Sequence, residues 1–256
     1  MSASLTVSLA GMVMSETTQA LRVVHCSDIH LECDRKTAEH YQDGLVRVMD
    51  EAVRVDADLL LIAGDLFDSN YASDESITWA MQTLESYVLP VVMIPGNHDC
   101  LEPGAIFPRY DFDALRGVDM LTAEAGEQRV LPDLNLAVWG KGMVDHSRKF
   151  RPLGGVAERP AQVSWYLGLG HGIYVPDGED TMRSSPVYAE DIGTSPFDYI
   201  ALGHHHAALD VKAGSTAATY SGSPTDLIGQ AATYTVIDLA EGMPPRVSIE
   251  ALVEPA

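Results

Sequence analysis

Five short polar runs carry residue types that bind divalent metals: Asp28-Ile29-His30, Gly64-Asp65, Gly96-Asn97-His98-Asp99, Gly170-His171-Gly172 and Gly203-His204-His205-His206. Carboxylate, imidazole and amide oxygen together suit manganese, iron, zinc or nickel. Each run is weak alone. A turn aspartate beside a surface histidine explains Asp28 and His30 as well, and a helix-capping turn explains Asp65. A lone histidine such as His171 is more often structural. The order of the runs, each at or near the end of an apolar stretch, favours one shared centre with two metals.

The spacing within the runs carries further expectations. Alternation along an extended segment predicts that Asp28 and His30 face the same side. The same period sets His204 and His206 together and His205 apart. The Asp65 carboxylate has two oxygens and can bridge two cations, and Gly64 lets the backbone come close. Asn97 offers a neutral oxygen. Asp68 fits a helix cap and is given no metal. Cys33 and Cys100 follow two of the runs, but oxygen and nitrogen sites of this type need no thiolate. His25, His40 and His146 match no run and are read as structural.

The elements that must position these runs are legible as apolar stretches. Residues 21–26, 58–63 and 90–94 read as buried strands, with helices over 37–55 and 74–88 between them. The second helix places Ile77, Met81, Leu84 and Val88 on one stripe. Strand–helix–strand–helix–strand implies parallel pairing with right-handed crossovers. Further strands are expected at 136–140, 163–170 and 197–203, then short β-rich runs at 218–221, 233–239 and 246–252. Residues 141–160 and 172–195 read as loops. The alternating first half and the mostly β second half suit two sheets packed face to face with helices outside, an α/β arrangement. In open α/β sheets ligands sit beyond the carboxyl ends of strands, which is where every run falls.

Composition bounds the rest. The 256 residues fit one domain over 21–256, preceded by a disordered leader over 1–20 that lacks Lys and Arg. The hydrophobic fraction of 46% is that of a chain with a sizeable core. No apolar stretch is long enough to span a membrane. Three cysteines without CxxC spacing argue against a disulfide framework and for the cytoplasm. The net charge of −21 weighs against tight nonspecific DNA binding, which depends on Lys and Arg.

With all five runs in this order, residues 21 to about 230 resemble the calcineurin-like metallophosphoesterase family. The resemblance implies a four-layer α-β-β-α sandwich of two mixed sheets. It implies two divalent ions, manganese first and iron, zinc or nickel as alternatives. Asp28, His30, Asp65 and His206 would hold one ion, and Asp65, Asn97, His171 and His204 the other, with Asp65 bridging. A hydroxide between the ions would attack phosphorus in line. By the same resemblance His98 assists the leaving group and Asp99 sets the His98 tautomer.

The implied activity is that of a metal-dependent phosphoesterase, with a phosphodiesterase first. A phosphomonoesterase and a noncatalytic scaffold with structural metals are the alternatives. HCSDIHL, GDLFDS, DYIALGHHH and YSGSP look most like the SbcD-like DNA-repair exonuclease branch, which makes a nucleotide or nucleic-acid end a candidate substrate. A homodimer or a partner subunit stays open. Arg148-Lys149-Phe150-Arg151 is a basic cluster that could grip a phosphate and stack a base, although such runs are more often solvated loops. Ser221-Gly222-Ser223-Pro224 could present amides to a phosphate, although a tight turn is the simpler reading.

Overall fold

The computed structural model describes residues 20–33, 37–225, 227 and 229–252. Apart from Ala20, the expected leader lies outside the described residues. The elements are, in order, β1 (Leu21–Cys26), α1 (Ala38–Arg54), β2 (Leu59–Ala63), α2 (Asp74–Ser86), β3 (Val91–Ile94), α3 (Ile106–Arg109), β4 (Val118–Met120), β5 (Glu127–Leu131), β6 (Leu136–Gly140) and β7 (Trp165–His171). There follow β8 (Ile173–Val175), β9 (Pro186–Tyr188), α4 (Ala189–Gly193), β10 (Tyr199–Gly203), β11 (Leu209–Ala213), β12 (Thr216–Tyr220), β13 (Thr233–Leu239) and β14 (Arg246–Ala251).

Two six-stranded mixed sheets result. The first runs β14-β13-β1-β2-β3-β4 and the second β11-β12-β10-β7-β6-β5. In each, four neighbouring strands are parallel: β1 to β4 in the first, and β12, β10, β7 and β6 in the second. Antiparallel strands complete the edges. The β2 residues show why both faces must be covered. Leu60 and Ile62 pack outward against Tyr41, Leu45 and Met49 of α1 and Ile77 of α2, while Leu59, Leu61 and Ala63 face the second sheet. Side chains alternate across a strand, so an unbroken apolar run needs two partners.

Helix ends follow local chemistry. Thr37 and Ser73 cap α1 and α2 by accepting from the amides of His40 and Ser76. Helix α2 stops two residues short of the predicted end because Tyr87 turns extended on the approach to Pro90. Val88 therefore leaves the apolar stripe and is 98% exposed. The expected loop at 172–195 contains β8, β9 and α4, with β8 and β9 paired parallel to each other. The outer layer on the second sheet is built from this segment: Val187 and Ile192 pack with Trp139, Phe197 and Ile200. Elements β4, β5, β11 and α3 have no counterpart in the sequence reading. They are short and owe their order to neighbours such as β3 and β6 rather than to periodicity. Among the described residues no helix is long and apolar enough to cross a membrane.

His25 lies fully buried on β1, and its Nδ1 stands 3.0 Å from the Tyr199 hydroxyl of the second sheet. Burial pushes its imidazole down to about 3. The folded state thus holds His25 neutral where the unfolded chain would bind a proton, so stability is full above about pH 6.5 and is lost as pH falls toward 3. In chelator, the unfolding free energy of the wild type should fall with pH between about pH 6 and about pH 4. His25→Gln should remove about 1.4 kcal/mol per pH unit of that slope. Urea titrations across this range check it, and equal slopes would refute it.

Candidate metal centre

All five polar runs sit at the carboxyl ends of parallel strands, three from the first sheet (β1, β2, β3) and two from the second (β7, β10). The seam between the sheets therefore opens onto one polar cluster. Strand alternation is not what aims the donors. Strand β1 ends at Cys26, and Asp28 and His30 both adopt left-handed backbone, with φ of 56° and 55°. Asp65 does the same at 54°, and His204, just past β10, stands at 98°. Each such conformation costs roughly 1 kcal/mol or more in an ordinary residue. The backbone is held there by bonds between the two loops. The amide of Asp28 donates to Gly64 O (3.1 Å), those of Ile29 and His30 to Asp65 O (2.9 and 3.1 Å), and that of Leu31 to Leu66 O (2.9 Å). His204 and His206 likewise part company rather than share a face, each joining a different group of donors.

The first group is Asp28, His30, His206 and Asp65. His30 Nε2 lies 3.2 Å from His206 Nε2, 3.6 Å from Asp65 Oδ2 and 3.9 Å from Asp28 Oδ1. His206 Nε2 is 3.8 Å from Asp28 Oδ1. In the second group Asn97 Oδ1 lies 2.7 Å from His204 Nδ1 and 3.0 Å from His171 Nε2, and His171 Nε2 is 3.3 Å from Asp65 Oδ2. Asp65 belongs to both. Donors each about 2.0–2.2 Å from one ion stand roughly 3–3.5 Å apart, so both groups have the spacing of a ligand shell. Two glycines make room. A Cβ on Gly96 would overlap the Asp65 carboxylate, and one on Gly64, at φ 90°, would strike the His171 ring.

The tautomers also fit metal. His171 Nδ1 lies 2.8 Å from the carbonyl of Ala63, and His30 Nδ1 lies 2.8 Å from Asp68 Oδ1. Both partners only accept, so each Nδ1 donates its hydrogen and Nε2 is the nitrogen turned to the cluster, where a metal would take the place of its proton. Asp28 is braced by Ser27 Oγ, which donates to Oδ2 (2.5 Å), and by the His204 amide at 3.1 Å. Ser223 Oγ donates to the Asp28 carbonyl (2.7 Å), so the Ser221–Pro224 turn supports the metal loop instead of offering amides to a ligand.

Charge is concentrated here. Burial opposes ionisation of Asp65, yet the imidazoles of His171, His30 and His98 outweigh it and hold this carboxyl well below the usual carboxylate range. Burial opposes a charge on His171, but the Asp65 carboxylate lifts it to about 9. His204 goes the other way, down to about 3, through burial and the neighbouring His171. Opposed shifts of this kind mark ionisable groups packed close together, as they are at functional sites.

His98 and Asp99 differ from expectation. The Asp99 carboxylate is fully buried and accepts from the Gly96 amide (2.7 Å) and the Phe67 amide (3.1 Å). It ties the β3 loop to the β2 loop. His98 Nδ1 instead donates to the carbonyl of Asp68 (2.8 Å), which leaves Nε2 on the open side, with the side chain 41% exposed. Asp68 is thus the residue that sequence reasoning missed. Its carboxylate orients His30 and its carbonyl orients His98, while the cap of α2 is Ser73. The available signal was its place three residues after Asp65, at the carboxyl end of a strand.

Among the other histidines, His25 lies between the sheets and His40 Nε2 meets the carbonyl of Thr225. His146 stands at the rim, its ring 5.7 Å from that of His204. The basic loop does not stack a base: Phe150 is buried with Cys100 and Met143, and Arg151 pairs with Asp191 (2.6 Å) over the Tyr188 ring. The groupings able to hold a metal among the described residues contain no cysteine.

Known proteins resemble this chain in sequence and in fold. The model of the calcineurin-like phosphoesterase family matches residues 21–208, which include all five runs. The D component of the SbcCD nuclease of Staphylococcus epidermidis is 33% identical over 86 residues, 31% of this chain and 23% of that protein. The DNA double-strand break repair protein Mre11 of Haloferax volcanii is 25% identical over 215 residues, 79% of this chain and 45% of that protein. The chain thus spans less than half the length of either. Two solved structures share the fold. TT1561 of Thermus thermophilus has TM-score 0.61 at 11% identity, covering 92% of this chain and 100% of that one. A dimetal phosphatase from Danio rerio has TM-score 0.60 at 12% identity, covering 91% and 97%.

Asp68 supplies no donor to the cluster beyond its grip on His30. Asp68→Ala should therefore weaken manganese binding about 10–100-fold while leaving the number of ions bound at saturation unchanged. Isothermal titration of chelator-stripped protein reads both quantities; unaltered affinity would show that His30 needs no such brace.

Proposed function

This chain belongs to the calcineurin-like phosphoesterase family, and on that premise we propose that it is a phosphodiesterase with a dinuclear metal centre, residues 21–256 acting as one domain. The observation that carries the reading is Asp65, whose carboxylate is shared by two complete donor groups. In this reading Asp28, His30 and His206 hold one ion, Asn97, His171 and His204 hold the other, and Asp65 lies between them. Manganese is our first choice for both, with iron, zinc and nickel as alternatives that suit the same oxygen and imidazole donors. Strands β13 and β14 complete the sheet that β1 begins, which supports the single domain.

Two divalent ions at this place would neutralise charge on the phosphoryl oxygens and lower the pKa of water for in-line attack. The protein's own residues do the rest. His98 keeps its Nδ1 hydrogen on the Asp68 carbonyl, so Nε2 is the nitrogen that faces a bound phosphoester. There the imidazolium form donates its proton to the departing oxygen, which stops the alkoxide from recapturing phosphorus. Its position is fixed from below, because its own amide donates to Asp65 Oδ1 (2.9 Å). Asp99 acts at one remove by holding the loop that carries Asn97 and His98.

The preference for diesters rests on the nuclease and repair proteins among the relatives, while His98 would serve the alkoxide leaving group of either ester class. A nucleotide or a nucleic-acid end is the substrate class we favour. Cytoplasmic location fits three cysteines without a disulfide among them.

Stripped protein reloaded with manganese should hydrolyse bis(4-nitrophenyl) phosphate faster than 4-nitrophenyl phosphate. His98→Ala should lower diester turnover about 10²–10⁴-fold while its bound manganese stays at the wild-type level. Preference for the monoester would replace the diesterase reading with a phosphatase. Absence of turnover with both ions bound would leave a scaffold with structural metals.

A further inference from the structure

Two loops border the His204 side of the centre, and the reaction described above gives neither a task. One, within residues 141–150, brings His146 beside His204, the rings 5.7 Å apart and inclined at 67°. The other, within 176–185, carries Arg183. The loops are tied to each other and to the site. The Ser185 amide donates to the carbonyl of Ser147 (2.8 Å), and Arg148 reaches Asp180 at 3.8 Å. The Ser185 carbonyl in turn accepts from the Ile173 amide (3.0 Å), two residues past His171. Arg183 is thereby held two residues from a point packed on the end of β7.

Arg183 is one of several described cations without an ion pair, and it stands nearest the end of β7 in sequence contact. The chain has 37 acidic residues against 16 Lys and Arg. Arg148 is matched by Asp180 and Arg151 by Asp191 in and beside these loops. Among the described residues the Arg183 guanidinium has no carboxylate partner within ion-pair distance. Arg183 and His146 are both exposed, and neither side chain has a hydrogen-bond partner among the described residues. On so acidic a surface, an unmatched guanidinium and an unmatched imidazole on two loops joined by the Ser185–Ser147 bond, at the rim of the metal site, can together receive an anion. A guanidinium fork matches phosphate oxygens in pairs, and an imidazole N–H adds a third donor.

We propose that His146 and Arg183 form an anion subsite that takes a second phosphate of the substrate, next to the phosphate under attack. The first phosphate is placed by the diesterase reading, on which this assignment of neighbours rests. The shared chemistry is two phosphates on one molecule. It occurs along a nucleic-acid backbone and in a nucleoside diphosphate, and the two sources differ in spacing.

The test is binding, measured by isothermal titration on manganese-loaded protein with thymidine 5′-monophosphate, thymidine 3′,5′-bisphosphate and thymidine 5′-diphosphate. The wild type should bind at least one doubly phosphorylated ligand about tenfold or more tightly than the monophosphate, in line with charge-assisted bonds. Arg183→Ala should abolish that preference and His146→Ala should reduce it. Arg148→Ala, whose charge Asp180 already offsets, should keep it. Loss confined to the bisphosphate assigns the backbone spacing; loss confined to the diphosphate assigns the pyrophosphate. Three results would overturn the subsite: no preference in the wild type, a preference that survives in Arg183→Ala, or an equal loss in Arg148→Ala. The readout needs no turnover, so it stays decisive if nitrophenyl diesters are not hydrolysed, an outcome that would remove the diesterase reading alone.

Discussion

One carboxylate must be reached from two sheets at once, and much of the local structure follows from that demand. Asp65 Oδ2 lies 3.6 Å from His30 Nε2 and 3.3 Å from His171 Nε2, histidines that enter from the first and second sheets. For imidazoles to close on it from both sides, the backbone beside it must be bare. Gly64 and Gly96 provide this, and larger residues there would meet the His171 ring or the carboxylate itself. The apolar layer between the sheets, from Val23 and Leu61 to Leu167 and Ala201, fixes how far apart those histidines start. The packing of the interior thus sets the geometry of the polar end.

The left-handed residues are the local answer to the same demand. A strand that continued through Asp28 would send its side chains to alternate faces of the sheet. Turning Asp28, His30 and Asp65 into positive φ instead lets neighbouring loops converge on the seam. The strain is offset by four amide bonds between the β1 and β2 loops, by the Ser27 and Ser223 hydroxyls, and by the buried Asp99 carboxylate between the β2 and β3 loops. Backbone strain of this kind collects at sites where donors are held ready rather than gathered by the ligand.

What could be read from the sequence follows the range of the forces involved. Strands at 21–26, 136–140 and 233–239 lie where the apolar runs put them, because burial on two faces writes itself into consecutive residues. Metal-binding residue types at strand ends named the donors that converge. The way they converge was not legible, since left-handed turns after β1 and β2 depend on bonds to another loop. Asp68 was hidden for the same reason: its partners His30 and His98 are 38 and 30 residues distant. Phe150 looked like a stacking ring in a basic run, but Met143 and Cys100 cover it. Val88 fitted a helical stripe that the chain leaves before reaching it.

The separation of His30 from His206 by 176 residues sets an order of events during synthesis. A nascent chain that has delivered β1, β2 and β3 already displays Asp28, His30, Asp65 and Asn97, yet neither donor group is whole. Both wait for β7 and β10, whose parallel pairing brings His171 beside Gly203. Until residue 206 has emerged, the growing chain offers only partial, open sets of donors. In the dinuclear reading, capture of both ions would thereby wait on the pairing of β7 with β10.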